Sequence, residues 1–455
     1  MKNSIFSEFN RIFFVGIGGV SMSALCELSG QFGAILGGSD MVESDVTTRL
    51  KNKGVKIFVG HDVGNINKFK PNLVVYTGAV NQSNPEIVQA VKLGIKTMER
   101  SEFLGEVCKL YQNVIAVSGT HGKTTTSAMI SNIFVCAGLN PTCHIGGFVK
   151  NFNSNLKIGD TKYFITEACE YKRSFEKIFS TCAVVTNIEC DHMDCYADIN
   201  DLRNSFLTFC NNASTHLITS DYDLINSINK KLNVSLIGKC YGFNYCAKNL
   251  KSTKGNYEFD CYKNNKFLLH IKLNIMGKYN VQNALFAIAV AQKFNIPLID
   301  IYNGLNSFCG VMRRNEKMGQ YLGVDVFADY CHHPTEILSS IKAFKEVYNN
   351  VLCVFQPHTY SRTKLLINSF KTCFLGVKHL VIFKTYAARE NYDKLGSETQ
   401  LFFKVKNKNK TLALSANELV DQINKHLKNI DVIIVLGAGD LYNKFVDILA
   451  LNKNK

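Results

Sequence analysis

The sequence predicts an α/β protein of several domains, each built on an open, largely parallel sheet. Short apolar runs alternate with helix-period segments along nearly the whole chain, the pattern of strands whose two faces are covered by helices. Twice, at 16–21 and 118–126, such a run passes through a glycine-rich turn into a helical pattern, which is how open sheets hold phosphates at strand ends. A chain of 455 residues, 46% of them hydrophobic, exceeds one ordinary core and predicts two to four domains.

Composition narrows the function classes. The apolar stretch 284–291 is too short to span a bilayer, and nothing before the strand at 11–15 has a leader pattern, so a soluble, cytoplasmic protein is expected. Sixteen cysteines are scattered without a C-x-x-C pair, and many, such as Cys26, Cys136, Cys182 and Cys353, sit in apolar runs. They read as reduced core residues, not disulfides or zinc ligands. The formal charge of +15 raises nucleic acid as a partner, but the lysines are dispersed and their densest groups, 404–410 and 453–455, read as solvated loops or termini. No nucleic-acid partner and no membrane insertion are expected; a phosphate-rich small substrate would use part of the charge.

The first segment opens with a strand at 12–15, the turn Gly16-Ile17-Gly18-Gly19-Val20-Ser21, and a helical pattern through Met22, Leu25, Cys26 and Leu28. This is a dinucleotide-type turn with Ser21 at the third glycine position and Asp40 where a ribose-binding acid could stand. Such a turn binds NAD, binds another diphosphate, or only closes a tight connection. Further strands at 55–59 and 73–76 end in His61 and Thr77.

The second segment starts near 109 with a strand at 114–117, the loop Ser118-Gly119-Thr120-His121-Gly122-Lys123-Thr124-Thr125-Thr126, and a helix over 127–136. Backbone N–H groups at Gly119 and Gly122, the helix N-terminus, the Lys123 ammonium and the Thr124 hydroxyl supply what a nucleotide phosphate and its Mg²⁺ require. Val117 stands where the general P-loop pattern has its first glycine. Strands at 163–166 and 182–186 lead into Glu167-Ala168-Cys169-Glu170 and Asn187-Ile188-Glu189-Cys190-Asp191-His192. Carboxylates and a histidine at neighbouring strand ends can converge on a metal and a γ-phosphate. A hairpin is expected over 257–262 and 267–275, followed by a helix on which Asn280 and Asn283 share a face, either to reach one ligand or to cap the helix.

The third segment, from about 311, repeats the alternation with strands at 324–328, 351–355, 380–384 and 432–436. Their ends carry Asp329-Tyr330-Cys331-His332-His333, Gln356-Pro357-His358-Thr359-Tyr360-Ser361-Arg362, Tyr386-Ala387-Ala388-Arg389-Glu390 and Gly437-Ala438-Gly439-Asp440. Rings and cations gathered at one sheet edge point to a second substrate site.

The ordered series GIGGVSMS, SGTHGKTTT, EACEYKRSF, NIECDHMD, GKYNVQNA, DYCHHPTE, FQPHTYSRT, YAARE and GAGDL resembles the Mur ligases over almost the whole chain, and within them the alanine-adding branch. The resemblance implies three domains: a Rossmann-like UDP-substrate domain at 1–108, a central P-loop ATPase-type α/β domain at 109–310, and a C-terminal Rossmann-like domain at 311–455. It implies an ATP- and Mg²⁺-dependent ligase that activates the lactyl carboxylate of UDP-N-acetylmuramate as an acyl phosphate and joins it to L-alanine. Carried residue by residue, Gly119, Thr120, His121, Gly122, Lys123, Thr124 and Thr125 cradle ATP, with Asn283 at the adenine and Arg314 and Asp329 closing over the nucleotide. Thr124, Glu167 and His192 stand in the metal sphere; Gly18, Gly19, Asp40 and His61 resemble the nucleotide-sugar site; Tyr330, His332 and Arg362 line the amino-acid site. Lys123, His332 and Arg362 are the catalytic candidates, His332 either as base, as substrate-orienting group or as a hydrogen-bonding spacer. A monomer or weak homodimer is the expected state.

The chain departs from the family at Ser21, usually glycine, at Asn315, where phenylalanine is common, and at Thr359, arginine in some members. The lysine carbamylated in sister ligases has no clear counterpart. Three rival readings remain: a ligase attaching a recycled peptide, an NAD-dependent oxidoreductase resting on the first turn alone, and a nucleotide-binding regulator.

Overall fold

The protein is described by a computed structural model covering residues 5–191, 195–228, 231–238 and 242–453. It divides into two compact units, Met1–Ile237 with Phe286–Ile301, and Gly238–Leu285 with Tyr302–Lys455.

The first unit contains two sheets. In one, all strands are parallel and run in the order Lys56–Val59, Ile35–Asp40, Arg11–Val15, Leu73–Tyr76, Lys96–Glu99. The order reverses at Arg11–Val15, so the glycine turn after Val15 opens into the crevice at a topological switch point. The second sheet repeats the device. Asn113–Ser118 lies between Cys182–Val185 and Tyr163–Glu167, all parallel, so both neighbouring strand ends open beside the loop 118–122. His216–Thr219 and Asn233–Gly238 extend one side and Thr142–Val149 the other, where Ser154–Lys157 adds an antiparallel edge.

These strands form where the sequence is uniformly apolar: Phe13, Phe14, Val15, Val74, Ile115, Val117, Val184 and Val185 are all fully buried, as strands covered on both faces require. One face of the first sheet, through Ile12, Phe14 and Val75, belongs to a continuous core that also holds Phe103, Val107, Ala116, Phe164, Phe175, Phe206 and Leu217. Its other face, through Phe13, Val15 and Val74, packs separately on Ile66, Phe69 and Ala90.

The second unit contains a three-stranded antiparallel meander, Tyr245–Thr253, Asn256–Lys263 and Lys266–Met276. Its second turn places Asn264 and Asn265 at φ of 49° and 64°, the left-handed pair a two-residue hairpin turn demands. The expected hairpin is present, but it carries a further strand, Tyr245–Thr253. The remaining sheet runs in the order Glu316–Tyr321, Val324–Asp329, Val432–Leu436, Val351–Phe355, His379–Phe383, Lys410–Ala413, antiparallel only at Glu316–Tyr321. Alternate residues of its central strands feed two cores, Cys353 and Phe355 on one face and Leu352 and Val354 on the other.

Cys26, Cys182 and Cys353 are buried free thiols. Cys136 departs from the expectation: it is exposed, because it ends the helix Lys123–Cys136 on its outer side.

Candidate functional site

In the first unit the loop after Ser118 turns sharply into the helix Lys123–Cys136, with Gly122 as its left-handed N-cap. The helix therefore starts four residues earlier than expected and places Lys123, Thr124 and Thr125 in its first turn, at the positive end of its dipole. Gly119 is required twice over. Its φ is +127°, and a Cβ there would lie 2.1 Å from the Thr186 hydroxyl oxygen. The loop is laced to the end of Cys182–Val185. Thr120 N donates to Asn187 O at 2.9 Å, His121 N donates to Asn187 Oδ1 at 2.9 Å, and Asn187 Nδ2 returns a bond to His121 O at 3.0 Å. Glu189 N donates to Thr120 Oγ1 at 2.9 Å, and His121 Nε2 lies 3.5 Å from Glu189 Oε2.

Lys123 Nζ donates to the backbone oxygens of Gly119 and Thr120 and sits 2.9 Å from Glu170 Oε1. Burial by itself would pull this ammonium's pKa down. The Glu170 carboxylate, together with Cys169 and Glu167, more than offsets that, and the group sits above the ordinary lysine value. Glu170, one of the carboxylates at this strand end, is thus the partner of Lys123.

Thr124 Oγ1 donates to Glu167 Oε2 at 3.1 Å, while Gly146 N donates to Glu167 Oε1 at 2.6 Å. A Cβ at residue 146 would stand 2.7 Å from Glu167 Oε2, so the carboxylate occupies space that only a glycine leaves open. A hydroxyl and a carboxylate at a helix N-terminus are hard oxygen donors of the kind Mg²⁺ takes. His192, the third expected ligand, lies outside the described residues.

At the first glycine turn, Gly18 N donates to Asp40 Oδ2 at 2.8 Å and Met41 N donates to Asp40 Oδ1 at 2.8 Å. Asp40 is thus held at the turn by backbone amides. Gly19 caps the helix Val20–Gln31. His61 Nδ1 lies 2.7 Å from Glu86 Oε2, a fully buried carboxylate that also accepts from Ser39 Oγ at 2.7 Å and Asn65 Nδ2 at 2.7 Å. Ser21 Oγ lies 3.0 Å from His144 Nε2.

In the second unit, Asp329 is buried at the end of its strand. Burial pushes its carboxyl above the ordinary value and Arg314 offsets only part of that. Arg313 and Arg314 lie over the Tyr330 ring at 4.9 and 5.3 Å from its centroid, and Arg313 is fixed by Gly439 O at 3.0 Å. His332 Nδ1 is 3.0 Å from Tyr330 O, a carbonyl that can only accept, so Nδ1 carries a proton there. The His332 ring is 5.8 Å from that of His358, and Arg362 Nη1 donates to His358 Nδ1 at 3.1 Å. Arg362 lies on the short helix Tyr360–Leu365, entered from Thr359 at φ 64° and ψ 146°. Glu390 accepts from Tyr360 N at 2.6 Å and Ser361 N at 2.9 Å, tying this helix to the 386–390 loop. Asn280 and Asn283 share a face as expected, with Asn283 Nδ2 donating to Asn280 Oδ1 at 3.0 Å. Asn315 Nδ2 reaches the Tyr279 hydroxyl at 2.6 Å.

The profile of the Mur ligase family catalytic domain matches residues 11–112, that of the Mur ligase middle domain residues 117–291, and that of the Mur ligase glutamate ligase domain residues 313–439. The chain belongs to the Mur ligase family. The ligase is 41% identical over 441 residues to a UDP-N-acetylmuramate–L-alanine ligase of Clostridium novyi, covering 95% of each chain. It is 42% identical over 452 residues to the enzyme of that name from Clostridium tetani, covering 97% of this chain and 98% of the other. Among solved structures it resembles a UDP-N-acetylmuramate-alanine ligase of Thermotoga maritima, with a TM-score of 0.81, 26% identity, and coverage of 98% and 99%. It shares the fold of a murein peptide ligase of Psychrobacter arcticus, with a TM-score of 0.75, 23% identity, and coverage of 98% and 99%.

Three residues that hold the candidate site together escape the sequence reading. Glu170 is a carboxylate three residues past Glu167, a spacing that marks no face in a non-helical loop. Glu86 sits in the first turn of the helix Pro85–Lys92, where an acidic residue ordinarily signals only the dipole. Asn187 was visible at a strand end, but its two-way bond to His121 exists only once the strands pair.

Proposed function

We propose that the protein is an ATP-dependent ligase that joins L-alanine to the lactyl carboxylate of UDP-N-acetylmuramate, through an acyl phosphate, in peptidoglycan precursor synthesis. The observation that carries this reading is the group at the first turn of Lys123–Cys136, where a half-buried lysine with its own carboxylate partner adjoins the Thr124–Glu167 pair. A carboxylate attacking ATP must approach a polyanion. Lys123 and the helix N-terminus would lower that repulsion, and the Gly119 and Gly122 amides would orient the phosphates, those of Thr120 and His121 being engaged by Asn187.

Thr124 and Glu167 would hold Mg²⁺, with His192 as the proposed third ligand; bound there, the ion supplies charge neutralisation at the phosphates. Gly18, Gly19, Asp40 and His61 are proposed to hold the nucleotide sugar, and Asn283, Arg314 and Asp329 to complete the ATP site. Tyr330, His332 and Arg362 are proposed for the amino acid. Arg362 would take its carboxylate, and His332 would act on the attacking amine as base or orienting group, with Nδ1 held by Tyr330 O. We further propose the domain limits 1–108, 109–310 and 311–455, a monomer or weak homodimer, and a cytoplasmic location; no helix among the described residues is long and apolar enough to cross a membrane.

Phosphate release from ATP and Mg²⁺ with UDP-N-acetylmuramate tests the reading, comparing no amine, L-alanine and the tripeptide of the recycling ligase. Release that needs both the sugar nucleotide and L-alanine, with the mass of the alanyl product, is expected. Turnover with the peptide alone would transfer the substrate assignment to the recycling reaction, and ATP binding without turnover would return the regulator reading.

A further inference from the structure

His144 has no role in the site described above, yet it is 4% exposed, and both of its ring nitrogens are engaged. Nε2 lies 3.0 Å from Ser21 Oγ, beside the first glycine turn, and Nδ1 lies 2.9 Å from Thr166 Oγ1, the residue preceding Glu167. Arg100 Nη1 donates to Ser21 Oγ at 3.3 Å, and Thr166 Oγ1 donates to Glu167 O at 3.2 Å.

The chemistry of these groups fixes a direction. A guanidinium only donates and a carbonyl only accepts. With Thr166 donating to Glu167 O, its oxygen accepts from His144 Nδ1–H. Nε2 then carries the lone pair and accepts from the Ser21 hydroxyl, whose oxygen accepts from Arg100. The opposite tautomer would take Thr166 away from Glu167 O, and that contact sets the direction of the line. Burial, with the Arg100 cation adding to it, pulls His144 down to about 4, so the ring is neutral at physiological pH, as the line requires.

The strand Thr142–Val149 grips Glu167 a second time. His144 pairs in register with Thr166, and two residues on Gly146 N holds the Glu167 carboxylate at 2.6 Å. We propose that His144 is a positioning residue, joining Arg100 and Ser21 at the nucleotide-sugar turn to Thr166 and Glu167 at the metal carboxylate through one directed line of hydrogen bonds. The proposal rests on reading Glu167 as the metal carboxylate and the 16–21 turn as the nucleotide-sugar site. It gives the Ser21 departure a partner: the hydroxyl that the family's usual glycine lacks is the one that reaches His144.

The test uses the full chain. In the ¹⁵N spectrum of histidine-labelled protein at neutral pH, His144 is expected as the neutral Nδ1–H tautomer, and Ser21→Ala is expected to shift its Nε2 resonance. In turnover assays His144→Phe is expected to raise both the KM for UDP-N-acetylmuramate and the apparent Mg²⁺ constant about 5-fold, the loss of one net hydrogen bond at each end. His144→Gln, which restores a polar atom toward Ser21, should recover the KM alone, and His144→Asn, toward Thr166, the Mg²⁺ constant alone. Adding Ser21→Ala to His144→Phe should change neither further. A Nε2–H tautomer, additive effects of the two substitutions, or a folded His144→Phe with both constants unchanged would overturn the proposal. Should the variant not fold, the wild-type tautomer and its response to Ser21→Ala still decide. Should the wild-type protein not turn over UDP-N-acetylmuramate, the functional reading fails while the spectrum judges the line independently.

Discussion

Replacing Glu170 by glutamine removes one charge from a pair 2.9 Å apart whose side chains are 17% and 3% exposed. Two unit charges about 4 Å apart interact by ~4 kcal/mol at an effective dielectric near 20, and stripping one partner from a buried pair costs ~3–5 kcal/mol. Glutamine keeps an oxygen at the lysine, so part of the hydrogen bond survives and about 2 kcal/mol is the expected loss. For a unit of this size that lowers the melting temperature by about 4–8 °C. The folded Lys123 pKa lies above its ordinary value, so its contribution is complete below the unfolded-chain pKa and is lost only as pH rises through the folded one. The difference between wild type and E170Q should therefore be flat from about pH 6.5 to 8.5. Nucleotide phosphates offer Lys123 another negative partner, so ADP or ATP should stabilise the variant more than the wild type. Thermal unfolding with and without nucleotide reads both effects. Equal melting temperatures together with equal nucleotide-induced shifts would show that Glu170 does not hold the lysine.

Gly119→Ala places a methyl group against Thr186 in a backbone region that favours glycine; ATP affinity measured by calorimetry should fall at least ~10-fold, with a strain of about 1–3 kcal/mol in the loop. Asp329→Asn should abolish turnover yet raise the melting temperature at pH 7. The raised carboxyl pKa means that wild-type stability from this group falls as pH climbs from the ordinary carboxylate value through the folded one, a slope the asparagine variant should lack in a pH series. Arg362→Ala should raise the KM for L-alanine about 10–100-fold, the range of a charged hydrogen bond, with little change in the KM for ATP. Glu167→Gln should raise the apparent Mg²⁺ constant about 10-fold, and an unchanged titration would place that carboxylate outside the metal sphere.

The parts of the fold legible in the sequence were those whose signal is local. The strands ending at Val15, Ser118, Val185 and Phe355 are short apolar runs followed by turn chemistry, and each formed within a residue or two of its expected limits. Thr142–Val149 was missed because a histidine and two glycines break its apolar pattern, and Tyr245–Thr253 because only its first two residues are buried. The same distinction runs through the sites. Lys123, Thr124 and Glu167 announce themselves by motif, whereas Glu86 and Glu170 acquire meaning only from partners 25 and 47 residues away. A buried carboxylate looks like a surface one until the chain closes over it.

The core shared by the first two sheets bears on how the chain is made. As the nascent polypeptide leaves the ribosome, the first hundred residues can pair their strands and cover the face built on Phe13, Val15 and Val74. The opposite face carries helices of its own, with Met22, Leu25 and Phe103 in the core with Phe14, but the outer side of the helix Arg100–Cys108 waits for the segment Tyr171–Lys177, which packs on it. Until that segment emerges, this side of the helix lacks the cover it has in the finished molecule, a chaperone-accessible interval set by chain length. A fragment ending near residue 108 should therefore be sticky and poorly expressed, and one ending beyond residue 237 markedly less so.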